Sequence, residues 1–496
     1  MKKLILVLAL FLAFDGKSQN IGKDAALADF DAFVALLNSQ SSYFQLSDYD
    51  FDGHCEEVRK KISTRDSVSI PFLAFEIEKV IAETIDRHAS VKMEDFDEDG
   101  IDILDLHFPF ILAPFQNKLV ALAKVESPKG YKYYAEEYPF VESINDIPAL
   151  QFIEKYAYKR KNSPQAAKLY DATKDLRDIG ESFFNQGEFD QRELTIVLTN
   201  GTSSKRITLP LSEDKHRWNN VGHTQDVELI KATYIDEPFE YQKLHRWIAD
   251  SISYLQLPAM FAYEDFAGLE SYLNMVMKNS INAKALIIDV RGNGGGSRDI
   301  LHTLSGYIVQ PAQSPWVANL AYVRTDQRTD EDIKGMDGRF LFRYSSDQFT
   351  NDDRKAIDAF NSHFTTPYTF DQRKFSEPFY MLLKSNGTPL NCPVYILADE
   401  RSFSAASVFA SALKGLANVK IAGVTTNGSS GRSRRFTLTH SNIRIRLSTM
   451  LSFQRNGKVL DGNGTEPDIV IDRKEAQLLG KSDTQLDDLI SLIKKN

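Results

Sequence analysis

The chain of 496 residues is 42% hydrophobic and 26% charged, with a formal net charge of −9. At roughly 150 residues per domain the length predicts about three domains, with ample apolar material for more than one core. No clustered Lys/Arg stripe is present, which excludes nucleic acid as an expected partner because phosphate binding needs a concentrated basic surface.

The chain begins MKKLILVLALFLAFDGKSQN. Lys2 and Lys3 precede an apolar run from Leu4 to Phe14, and Gly16 and Ser18 put small residues where a cut after Ser18 requires them. Residues 1–18 therefore read as a secretory signal peptide, predicting export to the periplasm or the medium; an uncleaved N-terminal anchor is the other reading. The run is shorter than the roughly 20 residues that cross a bilayer, and no later segment is long and apolar enough, so no membrane span is expected after cleavage. No cysteine follows the run to carry a lipid. Cys55 and Cys392 are far apart, and their spacing does not establish a bridge.

Residues 19–95 read as a helical region. Leu73, Ile77, Val80, Ile81 and Ile85 recur at helical spacing, and the helix is predicted to run directly into Asp86-Arg87-His88-Ala89-Ser90. Residues 96–222 read as a small α+β module, with strand-like runs FILAPF, LVALAKV, ELTIVLTN and RITLPL and a helical stretch near 148–180. Asn200-Gly201 predicts a hairpin. Residues 223–476 read as an α/β core in which SISYLQL, AKALIIDV, PVYILAD and VKIAGV alternate with helices. AKALIIDV and PVYILAD are nearly continuous apolar runs, as in strands covered on both faces. Residues 320–375 are more polar and are expected to carry loops, and residues 477–496 form a C-terminal helix or tail.

DYDFDG (48–53) and DFDEDG (95–100) resemble the start of a calcium loop. Such a loop also needs a glutamate at its twelfth position, where these stretches have Arg59 and Leu106; both read as solvated acidic turns. His54, His107, His216, His223, His245, His302, His363 and His440 are scattered without ligand spacing.

ALIIDVRGNGGGSRDI (285–300) ends a buried strand in three glycines, Gly294 to Gly296. Glycines let backbone approach a ligand closely, and successive N–H groups there can converge on an anion. A tight strand-to-helix turn is the plainer reading. No G-K-[ST] or G-x-G-x-x-G accompanies it, so it is neither a P-loop nor a dinucleotide fingerprint. In RSFSAASVFASALKG (401–415) Ser404 falls between the strand PVYILAD and a helix expected over Ala405 to Leu416. A serine there presents its hydroxyl beside a helix N-terminus that favours negative charge; the alternative is an ordinary helix N-cap. Ser407 and Ser411 lie within the helix and read as packing residues, and Ser402 lies in the loop.

ALIIDVRGNGGG, PVYILADERSFSAASVFASAL, VKIAGVTTNGSSG and GKVLDGNGTEPDIVI, in that order, resemble the C-terminal processing (tail-specific) peptidases and their tricorn-core relatives over most of residues 250–472. The resemblance implies an α/β fold: a crotonase-like core with an N-terminal helical region and a small α+β PDZ-like module. YPFVESINDIPALQF (138–152) resembles a weak version of that module's peptide-binding region. One branch of the family pairs the serine with a lysine. Here Ser429, in Gly428-Ser429-Ser430-Gly431, stands at that position, and Lys414 and Lys420 are elsewhere. The tricorn-like branch uses a histidine and an acidic residue, which match His88 and Asp461. Glutamate is usual where Asp461 stands, and serine or glycine where Arg87 stands; an arginine there would favour a neutral His88.

The resemblance thus implies that Ser404 attacks a peptide carbonyl, that His88 takes its proton, and that Asp461 orients His88 directly or through a neighbour. The N–H groups of Gly296 and Ala405 would form the oxyanion hole, where loss of one donor costs roughly 3 kcal/mol. No metal or cofactor is required. The expected protein is a secreted serine endopeptidase for peptides or unstructured C-terminal tails. A catalytically silent peptide-binding relative is the alternative, and a hydrolase of small esters a third.

Overall fold

The computed structural model describes residues 20–94, 96, 98, 101–126, 130–222, 241–249, 251–325 and 333–495. The signal peptide expected at residues 1–18, most of DFDEDG and His223 lie outside the described residues.

The helices Lys23–Gln40, Phe51–Ser63 and Ile70–Ala82 open the described chain. The acidic stretch DYDFDG starts the second of them: the Asp50 side chain accepts the Gly53 N–H and caps the helix. Ser69 caps the third by accepting the Phe72 N–H, with proline in its first turn. Phe30, Phe33, Leu37, Val58, Ile62, Leu73 and Ile77 bury together with Ile443, Ile445 and Leu447. Those last three come from a late hairpin, Ser433–Thr437 with Ile443–Ser448, and Ser90–Met93 adds a third, antiparallel strand to it.

The helix expected to continue to His88 stops at Ala82. Thr84 donates its hydroxyl to the Ile81 carbonyl, and the Asp86 carboxylate accepts the N–H groups of His88 and Ala89. Side-chain bonds of this kind replace helical ones, so His88 sits in a turn leading into Ser90–Met93 rather than at a helix end.

Residues 101–222 hold an antiparallel sheet in the order Ser204–Pro210, Glu193–Thr199, Phe140–Ile144, Lys118–Val125, Ile111–Phe115. Phe152, Leu169, Leu176 and Phe183, from three helices, cover it through Leu194, Ile196 and Leu198. The helical stretch expected near 148–180 is divided into Ala149–Tyr156, Gln165–Arg177 and Ile179–Gln186. Pro164, which has no N–H to continue a helix, caps the second piece. Asn200-Gly201 makes the expected hairpin, with Gly201 at φ 92°.

The core is a mixed sheet ordered His245–Ile248, Ile252–Gln256, Ala285–Asp289, Val394–Ala398, Val419–Gly423, Ile469–Val470. Its first pair is antiparallel and the others parallel. Ala285–Asp289 and Val394–Ala398 are buried at every position, as their apolar runs predict. Helices Leu269–Asn279, Asp299–Ile308 and Ala405–Leu413 pack on one face. On the other lies the C-terminal helix Thr484–Lys495, through Leu486, Leu489 and Ile493. A second, antiparallel sheet runs Phe342–Arg343, Phe379–Leu383, Trp316–Val323, Met450–Phe453. The polar stretch 320–375, expected as loops, also carries the helix Asn351–Asn361, closed by a Thr350–Asp353 capping box and anchored by Ile357.

Cys55 and Cys392 are both free and buried. Among the described residues no helix is long and apolar enough to cross a membrane.

Candidate active site

The strand Val394–Ala398 delivers a turn, Asp399 to Phe403, that is fastened to the glycine loop. Ser402 Oγ donates to the Val290 carbonyl at 2.8 Å, Phe403 N–H to the Asn293 carbonyl at 2.9 Å, and Gly292 N–H to Asp399 Oδ1 at 2.9 Å. Ser404 follows with φ 52° and ψ −121°, a left-handed conformation that a side chain seldom adopts. Such a residue costs about 1–3 kcal/mol and persists only where its surroundings hold it. Its N–H is held by Ser429 Oγ at 2.8 Å, and its own hydroxyl makes no capping bond to the helix Ala405–Leu413. The N-cap alternative is therefore not what the structure contains. The helix ends three residues before the expected Leu416, because Gly415 turns the chain at φ 94°.

Gly295 and Gly296 have φ 100° and 140°. A Cβ on Gly295 would lie 2.6 Å from Ser404 Cβ and 2.9 Å from Ala405 N; one on Gly296 would lie 2.0 Å from the Met260 carbonyl oxygen. Only glycine permits this approach. The bonds Met260 N to Gly295 O and Ser297 N to Met260 O straddle Gly296 and leave its N–H outside that pairing. Ala405 is the first residue of its helix, so its N–H has no acceptor within the helix.

His88 meets this turn. Its ring centroid lies 4.9 Å from that of Phe403, the residue before Ser404, and the side chain is buried while Ser404 is half-buried. The third wall is the loop Gly428 to Gly431. A Cβ on Gly431 would come within 3.2 Å of His88 Nδ1 and 2.6 Å of Ser448 Oγ. Two buried carboxylates hold the histidine segment. Asp86 accepts His88 N–H at 2.9 Å, Ser448 Oγ at 2.6 Å and Ser448 N–H at 2.7 Å. Asp461 Oδ2 accepts the Tyr43 hydroxyl at 2.7 Å and the Ser430 hydroxyl and N–H at 2.9 and 3.1 Å; its Oδ1 accepts the Arg87 N–H at 3.1 Å. Asp461 thus grips the main chain beside His88. Burial, then the nearby Asp86 charge, raises the Asp461 pKa to about 7, against the donors that favour its ionised form.

Arg87 binds its guanidinium to Asn427 Oδ1, at 2.8 Å, next to that loop, and to Asp171 Oδ2, at 2.7 Å, on the helix Gln165–Arg177 of the α+β module. Lys414 binds the Glu466 carbonyl and Asp468, and Lys420 is exposed. Ser404, His88, Asp461, Gly296 and Ala405 thus come together at one place, while the lysines stay apart.

Sequence reasoning missed Tyr43, Asp86, Ser430 and Ser448 as supports. Tyr43 lies 418 residues from the carboxylate it binds and carries no local signal. Ser430 stood in the turn singled out for its missing lysine, and its pattern of two serines between glycines was the available clue.

Residues 251–471 match the model of peptidase family S41. No curated protein matches the chain significantly. Among solved structures, mature CPAF superposes with a TM-score of 0.59 at 15% identity, covering 96% of this chain and 98% of that one. CPAF complexed with lactacystin gives 0.59 at 14%, covering 95% and 98%. A putative peptidase from Parabacteroides merdae gives 0.50 at 15%, covering 95% and 97%. At these identities the likeness is one of fold.

Proposed function

Starting from the chain's membership of the C-terminal processing peptidases, family S41, and hence from a serine-type peptidase acting on peptides or proteins, we propose that Ser404 is the nucleophile and His88 the general base of an exported endopeptidase. It cuts peptides or unstructured C-terminal tails. The carrying observation is the Ser404 turn: a left-handed serine whose hydroxyl caps nothing, pinned at its N–H by Ser429 and flanked by the His88 ring against Phe403.

In this reading Ser404 Oγ bonds to the scissile carbonyl carbon as its proton passes to neutral His88. The oxyanion settles between the N–H groups of Gly296 and Ala405. The C–N bond breaks, His88 returns the proton to the leaving amine, and water then releases the acyl group by the reverse sequence. Asp461 and Asp86 position the histidine segment through its main chain. The core is read as crotonase-like, supported by its parallel sheet with a second sheet beside it. Residues 101–222 are read as PDZ-like, supported by the hairpin and helix of YPFVESINDIPALQF. Such a module docks a peptide by adding it as an edge strand. Export rests on the pattern of residues 1–18.

Labelling with a fluorophosphonate tests the assignment. The unmodified protein is expected to label, Ser404→Ala not at all, and His88→Ala slowly. Equal labelling of the unmodified protein and Ser404→Ala would remove Ser404 as nucleophile.

A further inference from the structure

Ser404 has φ 52° and ψ −121°, and the Ala406 N–H donates to the Phe403 carbonyl at 3.0 Å. These mark a type II′ turn with Ser404 at its first central position, a place normally taken by glycine. A serine at the start of a helix has an ordinary alternative. At negative φ it becomes the N-cap, and its hydroxyl accepts an N–H of the first helical turn. The two states use Ser404 in opposite ways. The turn leaves its hydroxyl uncapped at the cost of a strained backbone. The cap relieves the strain and engages the hydroxyl with the helix.

The group that receives the Ser404 N–H in the turn is Ser429 Oγ, at 2.8 Å. Ser429 is fully buried, and a buried N–H left without an acceptor is costly. Residues other than Ser404 fix this acceptor. Asn427 donates its N–H to the Ser402 carbonyl at 3.1 Å and its side-chain amide to the Glu400 carbonyl at 3.0 Å, both in the turn before Ser404. Thr426 donates its N–H to the Thr465 carbonyl at 3.2 Å, and its Oγ1 accepts the Thr465 N–H at 2.8 Å. Ser430, the next residue, donates its hydroxyl and N–H to Asp461 Oδ2. The other oxygen of Asp461 accepts the Arg87 N–H beside His88. Two consecutive serines thus bind the Ser404 turn and the support of the His88 segment.

We infer that Ser429 is a positioning residue that selects between these two states. By accepting the Ser404 N–H it keeps Ser404 in the turn and out of the N-cap, and so keeps the hydroxyl available to His88 and to substrate. Without that acceptor the strain has nothing to offset it, and the cap becomes the lower state. The catalytic consequence rests on the Ser404 reading; the choice between two backbone states does not.

The test uses the mature full chain with Ser429→Ala, and with Ser429→Cys, which keeps the shape of the side chain but offers only a weak sulfur acceptor. In a crystal structure of Ser429→Ala, Ser404 is expected at negative φ, with its hydroxyl accepting the Ala406 or Ser407 N–H. Fluorophosphonate labelling of Ser404 should slow at least thirtyfold. On a fluorogenic peptide kcat should fall by a similar factor with KM within threefold, since substrate contacts are untouched. A residue that only supports the fold would instead lower the urea-unfolding midpoint and leave kcat of the folded protein unchanged, which overturns the inference. Slower labelling with Ser404 still at positive φ overturns it as well. Circular dichroism identifies a variant that fails to fold; if Ser429→Ala does, Ser429→Cys decides by the same readings. If the unmodified protein does not label at Ser404, the nucleophile reading fails by itself. The φ of Ser404 in the variant structure then decides the inference: negative supports it, and positive overturns it.

Discussion

The turn that carries Ser404 and the loop that carries His88 are held in contrasting ways. Ser404 follows a strand buried at every position, and its turn is tied by backbone and side-chain hydrogen bonds to the glycine loop of the neighbouring strand. His88 follows no regular element; the neighbouring Asp86 holds its segment together with Asp461, itself bound by Tyr43, from distant parts of the chain. The first arrangement is backed by a strand paired in parallel on both sides. The second is a polar network whose members depend on one another, so removing one leaves buried groups unsatisfied. The Ser404 side should therefore fail by steric blockage, and the His88 side by loss of alignment.

The largest effect is expected from Gly296→Ala. Its new Cβ would meet the Met260 carbonyl at 2.0 Å, displacing the N–H proposed as an oxyanion donor, where loss of one donor costs about 10²–10³ in kcat; peptide turnover checks this. Next is Asp461→Asn, expected to lower kcat/KM by about 10²-fold, the scale of a slight misplacement of a catalytic group. Fluorophosphonate labelling should slow with it but still occur at Ser404, which distinguishes misalignment from loss of the nucleophile.

The same carboxylate predicts a pH dependence. Its folded pKa, about 7, lies above the ordinary carboxylate value near 4. The native state therefore holds a proton that the unfolded state has released across that window. Asp461 should lower stability progressively as pH rises from about 4 to 7, and fully above 7. Urea unfolding at pH 5 and 8 should show this slope in the unmodified protein and less of it in Asp461→Asn. The ascending limb of kcat/KM near pH 7 should change in the same variant. The smallest effect is expected from Asp171→Ala. It removes the partly exposed ion pair to Arg87 while Asn427 still holds the guanidinium, so a loss of about threefold or less in kcat/KM is expected, checked against Tm.

Much of the Ser404 side was legible in order of residues alone. Continuous apolar runs marked Ala285–Asp289 and Val394–Ala398, three glycines marked the close approach, and a serine at a strand-to-helix junction marked Ser404. These signals are local: hydrophobic period, glycine conformation and the start of a helix are decided within a few residues. The histidine was identified only by likeness to a family, and its local setting was misread, because helical spacing through Ile85 gave no warning that Thr84 and Asp86 would redirect the chain.

Sequence by itself determined the fully buried strands Ala285–Asp289 and Val394–Ala398 and the strand-to-helix junction at which Ser404 stands. Tertiary structure alone decided that Tyr43, Arg87 N–H and Ser430 converge on Asp461. The physical reason is range. Dihedral preference and amphipathic period act between neighbours along the chain, whereas burial of a charge and the partners left to it depend on which distant surfaces the folded cores press together.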